Sequence, residues 1–103
     1  MLSRQNILLA LLSAMTGEIY PEVRGIVFKY EPLEKYFLLR FYLDREPTEK
    51  DEEIASVVLS EFISNFSYKE FEIIESECKL SLLYPKDIDV LDGVVYWRKE
   101  YFD

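Results

Sequence analysis

Residues 48–66 constrain the fold most, because they specify both the start of a helix and the side of it that is buried. Thr48 follows Pro47 and is a typical N-cap, since its hydroxyl can accept a hydrogen bond from an unpaired backbone N–H of the first turn. Asp51, three residues after Thr48, is placed as the partner in a capping box, with a side chain shorter than the usual Glu. The acidic residues around it suit the positive end of a helix dipole. The apolar residues then recur at spacings of three and four: Ile54, Ala55, Val58, Leu59, Phe62, Ile63 and Phe66. This pattern predicts an amphipathic helix with one buried side.

The length and the cysteine content indicate one cytosolic domain that is held together by packing. A chain of 103 residues favours a single domain, residues 1–103, with a sizeable core. Cys78 is the only cysteine and cannot form an internal disulfide, which is typical of the reducing cytoplasm. The early apolar run, residues 7–12, is too short to span a membrane, and no cleavage site of a signal peptide frames it.

The first half of the chain reads as a helix followed by a β-hairpin. Ser3 can cap a helix that runs to about Met15, and Gly17 is placed to end it. Its expected apolar face consists of Ile7, Leu8, Leu11, Leu12 and Met15, widened by Leu9. Residues 23–30 and 36–43 are rich in β-branched and aromatic residues, and a short turn at 31–35 joins them. Alternation in the second strand predicts that Phe37, Leu39, Phe41 and Leu43 face the core.

The second half predicts a further strand pair after the central helix. Residues 70–83 read as one long strand, and a change of apolar face near Ile73 and Ile74 suggests a bulge. Residues 86–93 form a loop, and residues 94–99 form a last short strand. The order α-β-β-α-β-β favours a two-layer α+β domain with two helices on a four-stranded antiparallel sheet. A right-handed crossover that skips a strand gives the expected sheet order 2-1-3-4.

The residue content argues against an enzyme. Without histidine, neither a Cys–His pair nor a Ser–His–Asp triad can form, and Cys78 among apolar neighbours predicts an inert buried thiol. Asp87, Asp89 and Asp92 resemble part of a calcium loop, but the central glycine and the terminal glutamate are missing. We therefore expect an acidic loop there, with no metal and no cofactor.

The negative charge is concentrated in one part of the chain. Residues 44–77 contain eleven acidic and three basic residues, which accounts for the whole formal net charge of −8. This charge would repel nucleic acid and anionic membranes and attract a basic protein, although it could also be a solvated face that aids solubility.

Two kinds of residue are therefore candidates for binding a partner. The first kind is the acids of the central helix and of the strand after it. The second is the aromatic and basic side chains on the sheet face opposite the core, since Tyr and Arg are enriched at interface hot spots, although aromatic residues also simply suit strands. The candidate residues are Asp44, Glu46, Glu49, Glu52, Glu53, Glu72, Glu75, Glu77, Tyr36, Arg40 and Tyr42. Tyr96 and Arg98 are expected beside the aromatic group.

Several short patterns resemble the small α+β immunity proteins of contact-dependent growth inhibition and related polymorphic toxin systems of bacteria. They include an Arg4-led apolar helix and the residues Pro21, Arg24, Phe41-Tyr42-x-Asp44, Thr48-Glu49-x-Asp51, Tyr84-Pro85 and Tyr96-x-Arg98-Lys99-Glu100. The resemblance implies a cytoplasmic protein that binds and blocks one toxin domain, often a nuclease. The acidity is consistent with this, because nuclease domains are usually basic.

The alternative is a regulatory adaptor or a homo-oligomeric interaction domain without a toxin. With the toxin-binding hypothesis we expect a monomer or a weak dimer that binds protein rather than nucleic acid or membrane.

Overall fold

The computed structural model describes residues 2–100 and confirms the predicted order of elements. The helices are α1 (Arg4–Met15) and α2 (Glu49–Ile63), and the strands are β1 (Val23–Glu31), β2 (Tyr36–Leu43), β3 (Ile73–Leu80) and β4 (Gly93–Trp97). Short 3-10 turns, Tyr68–Glu70 and Pro85–Asp87, flank β3. The fold is α+β, with two helices and a four-stranded sheet.

The sheet is mixed, with strand order β3-β2-β1-β4, so the predictions of an antiparallel sheet and of the order 2-1-3-4 were wrong. β1 is antiparallel to both β2 and β4, whereas β3 is parallel to β2. The helix α2 crosses over the sheet and returns the chain to the end where β2 began, so the next strand enters in the same direction. α2 packs on β2 and β3 while α1 packs on α2 and β4. β3 therefore forms beneath α2, directly beside β2, and the outer side of β1 is left for β4.

β3 is shorter than predicted, and its pairing is regular. It pairs with β2 from Tyr36↔Ile73 to Leu43↔Leu80 without a shift of register, so the expected bulge is absent from this pair. Phe71 is buried, but it lies before the strand and just after a 3-10 turn, which explains the apparent change of apolar face. The register shifts instead lie in β1, between Val23 and Gly25 against β2, and next to Ile26 against β4.

The predicted starts of both helices and the end of α1 are confirmed, whereas α2 ends at Ile63, before Phe66 of the predicted apolar stripe. The Ser3 side chain accepts a hydrogen bond from the Asn6 backbone N–H, and Thr48 and Asp51 form a reciprocal capping box. Gly17, just beyond α1, has φ +81°, a left-handed conformation that a residue with a Cβ adopts only with strain.

The main core lies between the helices and the sheet. Phe37, Leu39, Phe41 and Leu43 are all fully buried, as their alternation predicted. On α2, four residues of the apolar stripe are buried: Ala55, Val58, Leu59 and Phe62. On α1, the expected face was too wide. Leu9 and Leu12 are 60% and 50% exposed, because α1 covers only one margin of the sheet and turns Ile7, Leu11, Ala14 and Met15 inward.

The opposite face of the sheet is partly covered by the chain between β3 and β4. Ile88 in this segment is buried together with Val27 and Tyr42, and Trp97 packs beside them. Trp97 lies directly over Gly25, where a Cβ would come within 2.0 Å of its ring. Tyr96, expected on this face, instead packs against the core on the helix side.

Candidate partner-binding surface

The first turn of α2 presents carboxylates to solvent. Glu49, Glu52 and Glu53 are exposed, as their position before the apolar stripe predicted, and Glu46 is exposed in the segment leading to the helix. These side chains are available to a partner, and they add to the favourable interaction with the helix dipole.

Asp51 lies in the same turn but is buried, with 1% of its surface exposed. Its carboxylate accepts hydrogen bonds from the Tyr20 hydroxyl at 2.5 Å, from Arg45 Nη1 at 2.6 Å and from the Thr48 backbone N–H at 2.7 Å. The hydrogen bond from Arg45 is the main reason why the pKa of Asp51 lies well below its usual range. The pKa of Tyr20 is raised, first by burial and then by its hydrogen bond to this carboxylate. Asp51 therefore stabilises the fold and is not available to a partner.

Asp44, directly after β2, belongs to a second charged network. Its carboxylate accepts a hydrogen bond from Arg98 Nη1 at 2.8 Å and keeps about a third of its side chain exposed. Arg98 also pairs with Glu100, which receives a bidentate pair of hydrogen bonds from Arg24 at 2.8 and 2.7 Å. Arg24 is 5% exposed and also donates to the Ser81 carbonyl at 2.7 Å.

This network was not predicted from the sequence. Its one signal was Arg24 in the apolar first part of β1, residues 23–28, because such a charge is stable in a core only when it is paired. The network joins β1 to the chain after β3 and to the residues after β4. Asp44 is thus only partly available to a partner.

The acids of β3 lie beside β2. Glu72 and Glu75 are exposed, while Glu77 is half-buried and accepts a hydrogen bond from Arg40 Nε at 2.6 Å. Glu75 accepts a hydrogen bond from the Tyr36 hydroxyl at 2.9 Å. The parallel register places Glu75 and Glu77 on the sheet face opposite the helices, with Tyr36 and Arg40, whereas Glu72 lies just before β3.

Tyr42 is on the same face but contributes little surface. It is 5% exposed, its hydroxyl accepts a hydrogen bond from Arg40 Nη1 at 2.9 Å, and it donates to the Asp89 carbonyl at 2.7 Å. Tyr42 therefore anchors residues 84–92 to the sheet and holds Arg40 in place. Tyr36 and Arg40 remain partly exposed.

Cys78 lies near acids of both groups. This thiol is buried, and its pKa is raised to about 12, first by burial and then by the negative charges of Glu52, Asp51 and Glu77. Glu52 belongs to α2, on the helix side of the sheet, whereas Glu77 lies on the opposite face of β3, so the two acidic groups approach this strand from opposite faces of the sheet. The prediction of a buried thiol is confirmed.

Two aspartates of the loop before β4 accept hydrogen bonds from backbone N–H groups. Asp92 accepts a hydrogen bond from the Tyr30 backbone N–H at 2.8 Å, and Asp89 accepts one from the Leu91 N–H at 2.9 Å. Across residues 2–100, no cluster of three or more potential ligands could hold a metal ion. Over the same residues, neither helix has the length and apolar character needed to cross a bilayer.

Comparison with known proteins supports the resemblance seen in the sequence. No curated protein matches the chain. A family model described as MafI2 immunity protein, however, matches residues 4–100, which include both helices, all four strands and both charged networks. The chain therefore belongs to the MafI2 immunity protein family and is a small immunity protein of the kind found in polymorphic toxin systems.

Proposed function

We propose that this protein neutralises a cognate toxin domain in the bacterial cytoplasm by binding it through the acidic surface of α2 and β3, and that the toxin is a basic nuclease. The family match over residues 4–100 supports a toxin as the partner. The concentration of all the excess negative charge in residues 44–77 supports a basic one. Nuclease domains carry positive charge because their substrate is a polyanion.

The exposed acids would act first on the rate of encounter. The exposed side chains of Glu49, Glu52 and Glu53 lie close together at the start of α2, so their negative potentials add. Such a field raises association rates at low ionic strength and is screened over a Debye length of about 8 Å at physiological salt. Once the complex forms, close pairs with the toxin's Lys and Arg side chains would slow dissociation. Inhibition then requires occupancy of the toxin surface and no chemical step.

The test is the association rate of the purified toxin domain with a variant in which Glu49, Glu52 and Glu53 are all replaced by Gln. We expect association to slow at least about tenfold at low salt and to change little at high salt. The matched control replaces Glu18, Glu34 and Asp87 by their amides, which changes the net charge equally but outside residues 44–77. The control should slow association much less.

Two outcomes would contradict the proposal. A triple variant that associates at the wild-type rate in low salt would place the interface away from the start of α2. The next variants would then replace Glu72, Glu75 and Glu77 by Gln. Substitutions of Tyr36, Arg40 and Tyr42 would follow. Inhibition at far below one immunity protein per toxin, with a covalent change in the toxin's mass, would show catalysis instead of binding. Stoichiometric inhibition with an unchanged mass is the expected result.

A further inference from the structure

β3 is an edge strand, and no strand covers its outer side anywhere in residues 2–100. Two backbone hydrogen bonds at the ends of the β3–β2 pair show which backbone groups of β3 face the open side. The Ile73 N–H donates to the Lys35 carbonyl, and the Ser81 N–H donates to the Leu43 carbonyl. In a parallel pair, alternate residues of a strand form the hydrogen bonds to the neighbouring strand. The backbone N–H and C=O groups of the odd-numbered residues of β3 therefore point toward β2. The N–H and C=O groups of Ile74, Ser76, Cys78 and Leu80 therefore face the open edge.

This edge lacks several features that usually protect a sheet margin from pairing. Such margins are commonly blocked by proline, by a bulge or by a very short strand. β3 instead runs for eight residues without proline, and its pairing with β2 has no shift of register. Ile73 and Ile74 are 49% and 43% exposed at its start, and Leu82 is 78% exposed just beyond its end. Backbone groups and apolar side chains are thus available together.

The charges around the edge indicate what kind of strand can pair with it. Glu75 and Glu77 lie on one face of β3, and Glu52 of α2 lies near Cys78 on the other. Lys79 shares the face of Glu75, and Arg40 is already paired with Glu77. A second copy of this chain would bring two glutamates and one lysine on this face of its β3, so like charges would predominate in most registers, which is destabilising. A strand with Lys or Arg at alternate positions would meet opposite charges.

We propose that the toxin domain binds by adding a basic β-strand to the free edge of β3, so that the sheet of the immunity protein continues into the toxin. Backbone hydrogen bonds to the four edge-facing residues would provide affinity, and the flanking carboxylates would select the basic partner. This proposal rests on the proposed function and specifies its contact element.

Residue-resolved hydrogen exchange of the wild-type protein, free and bound to the purified toxin domain, tests the pairing without any mutation. The amides of Ile74, Ser76 and Leu80 face the open edge and should exchange at least about tenfold more slowly in the complex. The amides of Glu75 and Glu77 already bond to β2 and should change less. The amides of β4, at the opposite edge of the sheet, are the internal control and should not change.

A pair of variants at one position tests the same contact by affinity. Ser76→Pro removes an edge-facing N–H and blocks strand addition, while leaving the β2–β3 bonds intact. We expect at least about tenfold weaker toxin binding, the effect of one lost hydrogen bond of about 1.4 kcal/mol. Ser76→Ala removes the hydroxyl but keeps the N–H, so it should bind like the wild type.

The outcomes separate this proposal from the proposed function. A complex that forms while the edge amides exchange unchanged would overturn strand addition and leave toxin binding intact. Equal losses for Ser76→Pro and Ser76→Ala would also overturn it. A dimer of the free protein that Ser76→Pro abolishes would assign the edge to a second copy of the chain. If no complex forms at all, both proposals fail.

Discussion

At the scale of the residue, Asp51 has the largest structural role of any acid in the segment 44–77. It is buried, accepts hydrogen bonds from three other residues, and completes the capping box of α2. Tyr20 comes from the chain before β1 and Arg45 from the chain after β2, so one carboxylate ties both segments to the start of the helix. A buried charge of this kind is tolerated because all its partners are in place.

Replacing Asp51 by Asn tests this role. The amide keeps the shape but loses the charge that its donors face, and we expect the free energy of unfolding to fall by about 1.5–3 kcal/mol, the usual worth of hydrogen bonds to a charged group. Urea unfolding at neutral pH measures it. The control is Glu53→Gln, an exposed change in the same turn, which should have an effect within about 0.5 kcal/mol. Equal effects of the two substitutions would refute a special role for Asp51.

The same carboxylate predicts how stability depends on pH. The pKa of Asp51 is lowered in the folded state, mainly by Arg45, and the pKa of Glu100 is lowered, mainly by Arg24. A lowered folded pKa gives stability that is present above the unfolded value, about 4 for these groups, and lost as the pH falls through the folded value. Wild-type stability should therefore decline below about pH 5. The decline should be shallower in Asp51→Asn; parallel curves for the two proteins would contradict this.

Gly25 gives a third prediction at this scale. A methyl group here would overlap the ring of Trp97, the only tryptophan in the chain. We expect Gly25→Ala to destabilise by at least about 1–3 kcal/mol, the usual cost of overpacking, and to change the tryptophan fluorescence. A double-mutant cycle with Trp97→Ala is the control, because the penalty should shrink once the ring is removed. An additive double mutant would assign the cost to the backbone alone.

At the scale of the element, α2 is held by an aromatic cluster. The Phe62 ring is fully buried, stacks on Phe37 with centroids 4.5 Å apart, and contacts Phe66 and Phe71 at 5.1 and 5.9 Å. These partners come from β2, from the turn after α2 and from the segment just before β3. The cluster therefore fixes the crossover that makes β3 parallel to β2.

Phe62→Ala should destabilise the protein by about 3–5 kcal/mol, since it removes a buried aromatic side chain and leaves a cavity. The urea midpoint is the measurement. Val57→Ala on the same helix is the control, because Val57 is 45% exposed and its loss should cost much less. A midpoint that barely moves for Phe62→Ala would mean that the buried side of α2 is assigned incorrectly.

At the scale of the whole molecule, stability should be independent of metal ions. In residues 2–100, the carboxylates of the last loop hold backbone N–H groups, and no cluster suitable for a cation exists. Since a ligand that binds only the folded state must stabilise it, micromolar zinc or calcium should leave the melting temperature unchanged, and so should a chelator. A rise of several degrees with metal, reversed by the chelator, would contradict this prediction.

Local chemistry made much of the fold predictable. Ser3, Thr48 and Gly17 set helix ends through hydrogen bonds and a left-handed backbone within a few residues. Alternation along β2 predicted its buried face, because successive side chains in any strand point to opposite sides. The exposure of Glu49, Glu52 and Glu53 followed from the position of the apolar stripe on the helix.

Only the tertiary structure decided where β3 lies and which acids remain at the surface. The side chains of a strand show its faces but not its neighbours, so the position of β3 beside β2 depended on how α1 and α2 share the sheet. Asp51 and Glu49 look alike in sequence, yet Arg45 and Tyr20 converge on one and not on the other. Arg24 and Glu100 pair although 76 positions separate them in the sequence. Such pairings depend on the packing of distant segments, which local sequence does not specify.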